Sequence, residues 1–361
     1  MAIIALLTGL SPIAQAVLID TQSTPVIYNV NQTLPGSPDA SIGPSGPVAG
    51  PNFSVAGFDS SLGVLTGATL FLSGQRVQQI SGLGQSMPLV IPPSLDPNVS
   101  AWGNGNVTGI INNASAFPGS YIMGGPATFD GCFSSDSDFC SYASGPDVTP
   151  FADGASASGF AVAPGPVDFT TEGYLDVLET GASASGDWMA VYSEATIDTT
   201  FAGTAQIDYQ YLKHANPILV TTMIDLGTVQ QGDPMPSDMI DLGNADILDR
   251  IGWDLIVVGS GDTDRFVTTL SDMGDQLGAF SLPISMDTSM AGNFMAYYDL
   301  YFRDTTLNPD AAPWTLDEYE VMRLTVQGVV EEPPQPAPEP ATLALLGVGA
   351  LGLAFSKRKV S

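Results

Sequence analysis

Residues 204–212 read Thr-Ala-Gln-Ile-Asp-Tyr-Gln-Tyr-Leu, and this stretch decides the predicted fold of the chain. Every second side chain is apolar, namely those of Ala205, Ile207, Tyr209 and Tyr211. The side chains between them are polar, so the stretch has the two-residue period of a β-strand rather than the longer period of a helix. It predicts an antiparallel strand with one buried face and one face in water.

Shorter segments of the same kind precede this strand, separated by the Gly, Pro, Asn and Asp residues that are typical of turns. Together they predict a first β-sandwich domain over residues 17–212. Its other strands are predicted at 17–19, 26–30, 52–55, 66–72, 159–162, 173–178 and 188–196. Residues 91–150 are rich in Gly, Pro and Ser and show no clear period, so they are predicted to form long loops.

A second, smaller β domain is predicted over residues 213–330. Asn244 occupies a plausible N-cap position, which predicts a short helix over 244–250, and a helical turn is predicted at 315–320. A strand is predicted at 265–270. Two further strands are predicted where every second residue is apolar: Phe294, Ala296, Tyr298, Leu300 and Phe302 in one, and Met322, Leu324 and Val326 in the other.

Three segments of different composition close the sequence. Residues 331–340 are rich in proline, which fixes φ and removes amide donors, so they predict an extended stalk. Residues 341–355 carry no charge; as a helix they would reach about 22 Å, against about 30 Å for the hydrocarbon core of a bilayer. Lys357, Arg358 and Lys359 extend this short span by snorkelling and orient it with the C-terminus in the cytoplasm. Residues 341–361 are therefore predicted to be a single membrane helix with a basic tail.

This order of segments resembles the PEP-CTERM sorting signal of Gram-negative bacteria. In that family a Pro-Glu-Pro motif, matched here by Pro338, Glu339 and Pro340, precedes a short apolar helix and a basic tail. The resemblance implies recognition by an exosortase, which is a membrane-embedded processing enzyme. It further implies an intermediate held in the inner membrane by the helix, followed by export to the cell surface or extracellular matrix, where exopolysaccharide is the expected partner.

Residues 1–16 have the composition of a secretory signal peptide. Residues 2–10 form an apolar segment, and Ala14 and Ala16 are the small residues that precede a cleavage site after residue 16. No Lys or Arg precedes the apolar segment, which departs from the usual pattern. The Sec machinery is the expected export partner, and the predicted fold class is all-β: two β-sandwich-like domains with long loops, an N-terminal signal peptide and a C-terminal single transmembrane helix.

The overall charge excludes one class of partner. The chain has 9 basic and 38 acidic residues, which gives a net charge of −29. Because such a charge repels nucleic acid, no nucleic-acid partner is expected. The 39 Gly and 28 Pro residues favour a turn-rich β protein.

Cys132 and Cys140 are the two cysteines of the chain. In an oxidising compartment they predict a local disulfide worth at most about 2.5 kcal/mol. A metal or redox pair is the alternative, but the spacing is wider than Cys-x-x-Cys and no histidine is near.

Two segments resemble the choice-of-anchor E domains. Residues 58–70, Phe-Asp-Ser-Ser-Leu-Gly-Val-Leu-Thr-Gly-Ala-Thr-Leu, are similar to the opening phrase of that family, and residues 169–211 are similar to its closing strands. The resemblance covers residues 18–212 and implies a secreted β domain that is found joined to various surface anchors. It implies no catalytic residue.

Residues 246–255 are similar to the tail of some exported bacterial metalloproteases, but the chemistry of a protease is missing. A zinc protease of that kind needs two histidines in a His-Glu-x-x-His helix, whereas His214 is the single histidine of the chain. His214 is predicted to lie between a strand and a turn, without the partners of a Ser-His-Asp triad.

Acidic side chains leave two further possibilities open. A pair of Asp or Glu residues suffices for glycoside hydrolysis, and alternating Asp residues occur in calcium loops, with Asp262 and Asp264 in one candidate loop and Asp136 and Asp138 in the other. Neither loop has the Gly and Glu positions of an EF-hand. The sequence thus predicts an exported, non-enzymatic surface or matrix protein without a cofactor. The alternatives are a secreted carbohydrate-active enzyme and a calcium-dependent adhesion module.

Overall fold

A computed structural model describes residues 16–36, 38–113, 116–117, 119–125, 128–158, 165–305 and 320–334. The described residues form strands and short 3-10 turns, and none of them is α-helical. The described part of the chain is therefore all-β, as predicted for it. The signal peptide before Ala16, the strand predicted at 159–162, the helical turn predicted at 315–320 apart from Glu320, and the sorting motif with its apolar segment lie outside the described residues.

The described chain divides into two compact units, and the first contains the described residues up to Asn216 together with Asp246–Ile251. A 3-10 turn, Ser60–Leu62, follows its fourth strand. The strands of this unit are β1 (Leu18–Gly36), β2 (Asp39–Ile42), β3 (Val48–Ala49), β4 (Phe53–Val55), β5 (Val64–Pro88), β6 (Val99–Asn113), β7 (Gly119–Met123), β8 (Thr128–Ser134), β9 (Phe139–Ala143), β10 (Asp147–Ser158), β11 (Val167–Ser183) and β12 (Trp188–Leu212).

Two antiparallel sheets make up this unit. One has the order β1-β12-β5-β10, with β9 also paired to β5, and the other has the order β2-β11-β6-β7, with β3 and β4 paired to β11 and β8 paired to β6. The stretch 204–212 is the end of β12, where Ile207 pairs with Leu70 of β5 and with Gln22 of β1. Ala205, Ile207 and Tyr209 are fully buried, which confirms the predicted inner face.

Glycine lets the two sheets of this unit approach closely. Gly109 of β6 lies beneath the stacked rings of Tyr28 and Phe201, whose centroids are 4.7 Å apart. A Cβ atom at Gly109 would lie 2.7 Å from the Phe201 ring and closer still to the Tyr28 hydroxyl, so a larger residue would separate the sheets.

The prediction that residues 91–150 form long loops is wrong. They contain β6, β7, β8, β9 and the start of β10. Along β6 every second residue is buried, but Gly103, Gly105 and Gly109 fill three of the inward positions between Ala101 and Ile111. Because glycine does not register as apolar, the two-residue period was hidden in the sequence.

The second unit contains the described residues among Pro217–Ala245, Gly252–Thr305 and those from Glu320 onward. A 3-10 turn, Thr263–Arg265, precedes the fifth strand of this unit. The strands of the second unit are β13 (Pro217–Leu219), β14 (Met223–Gln230), β15 (Ser237–Asn244), β16 (Trp253–Gly261), β17 (Phe266–Thr268), β18 (Met273–Gln276), β19 (Phe280–Met286), β20 (Gly292–Asp304) and β21 (Glu320–Glu331).

These strands form a four-stranded sheet of order β13-β15-β19-β17 and a five-stranded sheet of order β14-β21-β20-β16-β18. The pairing of β14 with β21 is parallel. Trp253 is fully buried between the sheets, with its ring 5.7 Å from that of Phe280 and edge-on to Phe302 at 5.0 Å. The apolar positions predicted along residues 294–302 and 322–326 face this interior.

The helix predicted over residues 244–250 is wrong. Asn244 is the last residue of β15, and the residues after it form a turn in which Asp246 has φ 51°. Asn and Asp favour turns as strongly as helix starts, and this short segment has no helical apolar face to decide between them. The strand predicted at 265–270 is shorter in the structure, where it is Phe266–Thr268.

Candidate functional site

A buried polar network crosses the interior of the first unit and is centred on Arg76 of β5. Its side chain is fully buried, and it donates to Asn106 Oδ1 at 2.7 Å, to Asp147 Oδ2 at 2.8 Å and to Thr149 Oγ1 at 3.2 Å. Asn106 belongs to the opposite sheet. The guanidinium therefore ties the two sheets together through charge-assisted hydrogen bonds.

Gln78, two residues further along β5, continues this network. It is buried, donates to the Gly105 carbonyl at 3.0 Å and accepts from the Val107 amide at 3.0 Å. Neither Arg76 nor Gln78 was predicted as a site residue from the sequence. The two-residue period along β5 could have indicated that both side chains point inward. The inner face of this strand carries Leu70, Leu72, Arg76, Gln78 and Ile80.

Six Asp side chains lie in environments that stabilise the ionised carboxylate. The pKa of Asp59, Asp187, Asp225, Asp249, Asp287 and Asp299 lies below the ordinary value. Hydrogen bonds are the leading cause in each case, for example from Ser94 to Asp187 and from Lys213 to Asp249. A general acid in glycoside hydrolysis needs the opposite shift.

Among the open clefts of the second unit, one of about 270 Å³ lies where β14 bulges. Asp225, Asn293, Phe294 and Gln327 contribute to its lining. Asp225 accepts from the Gly227 amide at 2.9 Å and from Gln327 Nε2 at 3.1 Å, and these bonds lower its pKa. Asp225 is the single acidic residue in this lining, whereas glycoside hydrolysis needs two.

The four predicted calcium ligands already interact with protein groups. Asp262 Oδ2 accepts from the Met295 amide at 2.9 Å, and Asp264 lies 3.7 Å from Arg265 Nε. Asp136 Oδ1 accepts from Ser134 at 3.3 Å, while the backbone carbonyl of Asp138 accepts from the Ser86 amide at 2.7 Å. Over the described part of the chain, no group of three or more His, Cys, Asp or Glu side chains is placed to hold a metal ion.

Cys132 and Cys140 form a disulfide with their Cα atoms 6.0 Å apart. Cys132 lies in β8, which pairs with β6, and Cys140 lies in β9, which pairs with β5. The bond consequently joins the two sheets of the first unit, whereas the sequence predicted only a bond that closes a local loop.

His214 belongs to a cluster that fixes the end of the first unit. Its Nε2 atom lies 2.7 Å from the Ser60 carbonyl, and its own carbonyl accepts from Arg250 Nη1 at 2.8 Å. Lys213 forms an ion pair with Asp249 at 2.5 Å. These contacts are structural, because they hold Asp246–Ile251 against β12.

The residues of the predicted export signals lie at or beyond the limits of the described chain. Ala16 donates its amide to the Leu248 carbonyl at 2.5 Å, and β1 begins at Leu18. Cleavage after Ala16 would therefore leave β1 whole. Ala14, the Pro-Glu-Pro motif and the basic tail lie outside the described residues.

Comparison with known families identifies the C-terminal segment. Residues 336–359 match the profile of the PEP-CTERM protein-sorting motif. The chain carries a PEP-CTERM sorting motif. The match includes Pro338, Glu339, Pro340 and the basic tail, and it confirms the resemblance found in the sequence. The PEP-CTERM motif marks an exported protein that an exosortase recognises and that reaches the cell envelope or surface.

No curated protein matches the chain. Among solved structures, the chain is similar to the ASH/PapD-like domain 7 of human CEP192, with 11% identity and a TM-score of 0.26 over 32% of this chain and 86% of that one. It is also similar to the E. coli chaperone DraB, with 10% identity and a TM-score of 0.22 over 36% of this chain and 61% of that one. At these scores the two likenesses carry no argument about function.

The described residues include no helix long and apolar enough to cross a membrane. The apolar segment of the PEP-CTERM motif, residues 341–355, lies outside them.

Proposed function

We propose that this chain is a non-enzymatic protein of the cell surface or extracellular matrix that is held among exopolysaccharide after export. The PEP-CTERM motif at residues 336–359 is the observation that carries the proposal. In this proposal the Sec machinery exports the chain, a signal peptidase cuts after Ala16, and the apolar helix holds an intermediate in the inner membrane until an exosortase processes it.

Six carboxyl groups of the described chain are unsuited to act as general acids. Each described carboxyl whose pKa departs clearly from the ordinary value is shifted downward by hydrogen bonds or by a neighbouring cation. These groups stay ionised at neutral pH and cannot donate a proton to a leaving group there.

The outer face of the five-stranded sheet in the first unit supports contact with polysaccharide. It carries hydroxyl and carboxylate groups that bond across strands, such as Thr33 with Thr196 at 2.9 Å and Thr21 with Asp208 at 2.9 Å. Phe71, with 45% of its surface exposed, is paired with Gln206 on the neighbouring strand. An exposed ring beside an amide suits the apolar face and the hydroxyls of a sugar.

Replacing Pro338, Glu339 and Pro340 by alanine tests the sorting step. The unprocessed precursor should then accumulate in the inner membrane, which fractionation and intact-mass analysis would detect. Pro333→Ala with Pro334→Ala is the matched control, since it changes the same stalk outside residues 336–359. Unchanged release of the triple variant would contradict the sorting role.

Co-sedimentation with exopolysaccharide isolated from the producing cells tests the second part of the proposal. Phe71→Ala should weaken binding more than Ile27→Ala, which removes another exposed apolar side chain from the same face. The release of new reducing ends during incubation would show an enzyme and overturn the non-enzymatic role.

A further inference from the structure

The outer face of the five-stranded sheet in the second unit differs from the other exposed surfaces described above. Its outward side chains alternate with core residues along β16, β20 and β21. We call it the arginine face and define it by Ile256, Val258, Tyr297, Tyr301, Arg303 and Arg323. Cross-strand pairing places Ile256 beside Tyr301, and Val258 beside Asp299, which in turn pairs with Arg323.

The arginine face has nearly balanced charge in a strongly acidic chain. Arg323 makes two bonds to Asp299, at 2.6 and 2.9 Å, and its guanidinium lies 5.7 Å from the centre of the Tyr297 ring. Arg303 lies 3.5 Å from Asp254. Asp225 of β14, at the edge of the sheet, accepts from Gln327. Two of the nine basic residues of the chain thus lie on one sheet face.

Apolar surface surrounds these ion pairs. Ile256 and Val258 of β16 are 38% and 50% exposed, and Val321 of β21 is 52% exposed. Tyr301 of β20 lies between the two strands and pairs with both Ile256 and Val321. Contiguous exposed apolar surface of this kind marks interaction sites. Tyr and Arg are enriched at the centres of protein interfaces, while Lys and Glu are depleted there.

The outer sheet face of the first unit provides a contrast. It carries Asp198 and Asp208, and the strands β1, β5, β10 and β12 contain one cation, Arg76, which is buried in the interior. Two copies of the chain would repel each other through that face. The arginine face presents carboxylates and guanidinium groups side by side, so a two-fold rotation can set Arg303 and Arg323 of one copy against Asp254 and Asp299 of another.

From this charge complementarity we propose that the arginine face is the contact surface between two copies of this chain. The area of the arginine face is close to that of a typical dimer interface. Five strands spaced by about 4.8 Å and roughly 30 Å long present about 700 Å², and a standard interface buries about 800 Å² on each partner. The proposal is independent of the exopolysaccharide role.

Sedimentation equilibrium of the full exported protein over a concentration series tests the dimer. The wild type should reach twice the monomer mass, and Val258→Glu should raise the dimer dissociation constant at least about tenfold, since it buries an unpaired charge. Ile27→Glu is the matched control: it adds the same charge at an exposed aliphatic position in a strand of the first unit and should leave the constant nearly unchanged.

Exchanging the charges of Arg323 and Asp299 distinguishes a loss of the dimer contact from a failure to fold. Arg323→Asp alone should abolish the dimer, and the double change of Arg323→Asp with Asp299→Arg should restore it, because both the pair within one copy and the complementarity between copies return. A wild type that stays monomeric at every concentration overturns the proposal. If Val258→Glu and Ile27→Glu raise the dissociation constant equally, the proposal is also overturned. The same holds if the Val258→Glu variant keeps the mass of the wild-type dimer in sedimentation equilibrium but loses binding to exopolysaccharide.

Discussion

At the scale of single residues, Arg76 shows how burial changes the meaning of a side chain. In an acidic chain an arginine suggests a surface cation, yet here it is fully buried and bonded to both sheets of the first unit. Removing the guanidinium would break its bonds to Asn106 and to the Val107 carbonyl, which both lie on β6 of the opposite sheet. A single side chain of β5 therefore links the two sheets.

Arg76→Ala should lower the free energy of unfolding of the first unit by about 1.5–3 kcal/mol, because the hydrogen bonds of the charged guanidinium to Asn106 and to the Val107 carbonyl are lost. Asp147, whose side chain is 35% exposed, regains water. Urea unfolding followed by tryptophan and tyrosine fluorescence measures the change. Lys213→Ala is the control, since its ion pair with Asp249 leaves the lysine side chain 43% exposed, and exposed pairs contribute about 0–1 kcal/mol. Equal losses in the two variants would contradict a structural role for the buried arginine.

At the scale of elements, β6 carries the packing between the sheets. Its inward positions include small residues, which bring the backbone of one sheet close to the aromatic side chains of the other. The disulfide works at the same interface, because it joins a strand paired to β6 with a strand paired to β5. Close approach and covalent linkage together define the distance between the sheets.

Gly109→Val should destabilise the first unit by about 1–3 kcal/mol through overpacking against Tyr28 and Phe201. Differential scanning calorimetry would show this as a lower transition temperature. Gly145→Ala is the comparison, because a Cβ atom at that position meets no atom within 4 Å and should leave the transition nearly in place.

Replacing Cys132 and Cys140 by serine should lower the stability of the exported protein by at most about 2.5 kcal/mol, since the bond closes a short loop in the unfolded chain. Chemical denaturation of the variant and the wild type measures the difference. Mass spectrometry of the unreduced wild type should show the linked peptides, and two free thiols would refute the bond.

At the scale of the whole molecule, the chain does not divide into units at a single point. It leaves the first unit after Asn216 and returns for Asp246–Ile251, where Ile251 packs against Val64 and Leu212. Backbone hydrogen bonds between Lys213 and both Asp249 and Ile251 hold this return. Carboxylates with lowered pKa occur in both units, so acid affects the molecule as a whole.

Stability should be constant above the ordinary carboxyl pKa of about 4 and should fall as the pH drops below it. The sign follows from the pKa values of Asp59, Asp187, Asp225, Asp249, Asp287 and Asp299, which are lower in the folded state. Below the ordinary value the unfolded chain binds more protons than the folded one. Thermal unfolding at pH 6, 4 and 3 would measure the loss, and Asp187→Asn should reduce the slope. A stability that rises on acidification would contradict the assignment.

Local patterns were enough to predict the all-β class, the buried face of the strand over residues 204–212 and the PEP-CTERM motif, because alternation and linear motifs are local properties of the chain. Contacts between distant segments establish that β6 is a strand, that Arg76 bonds to Asn106 of the opposite sheet, that the disulfide joins two sheets and that Asp246–Ile251 belongs with the first unit. Each of these depends on which distant segment lies opposite a residue. Such pairing is fixed by the packing of whole sheets, whereas a local pattern shows which side chains face inward but not which segment lies opposite them.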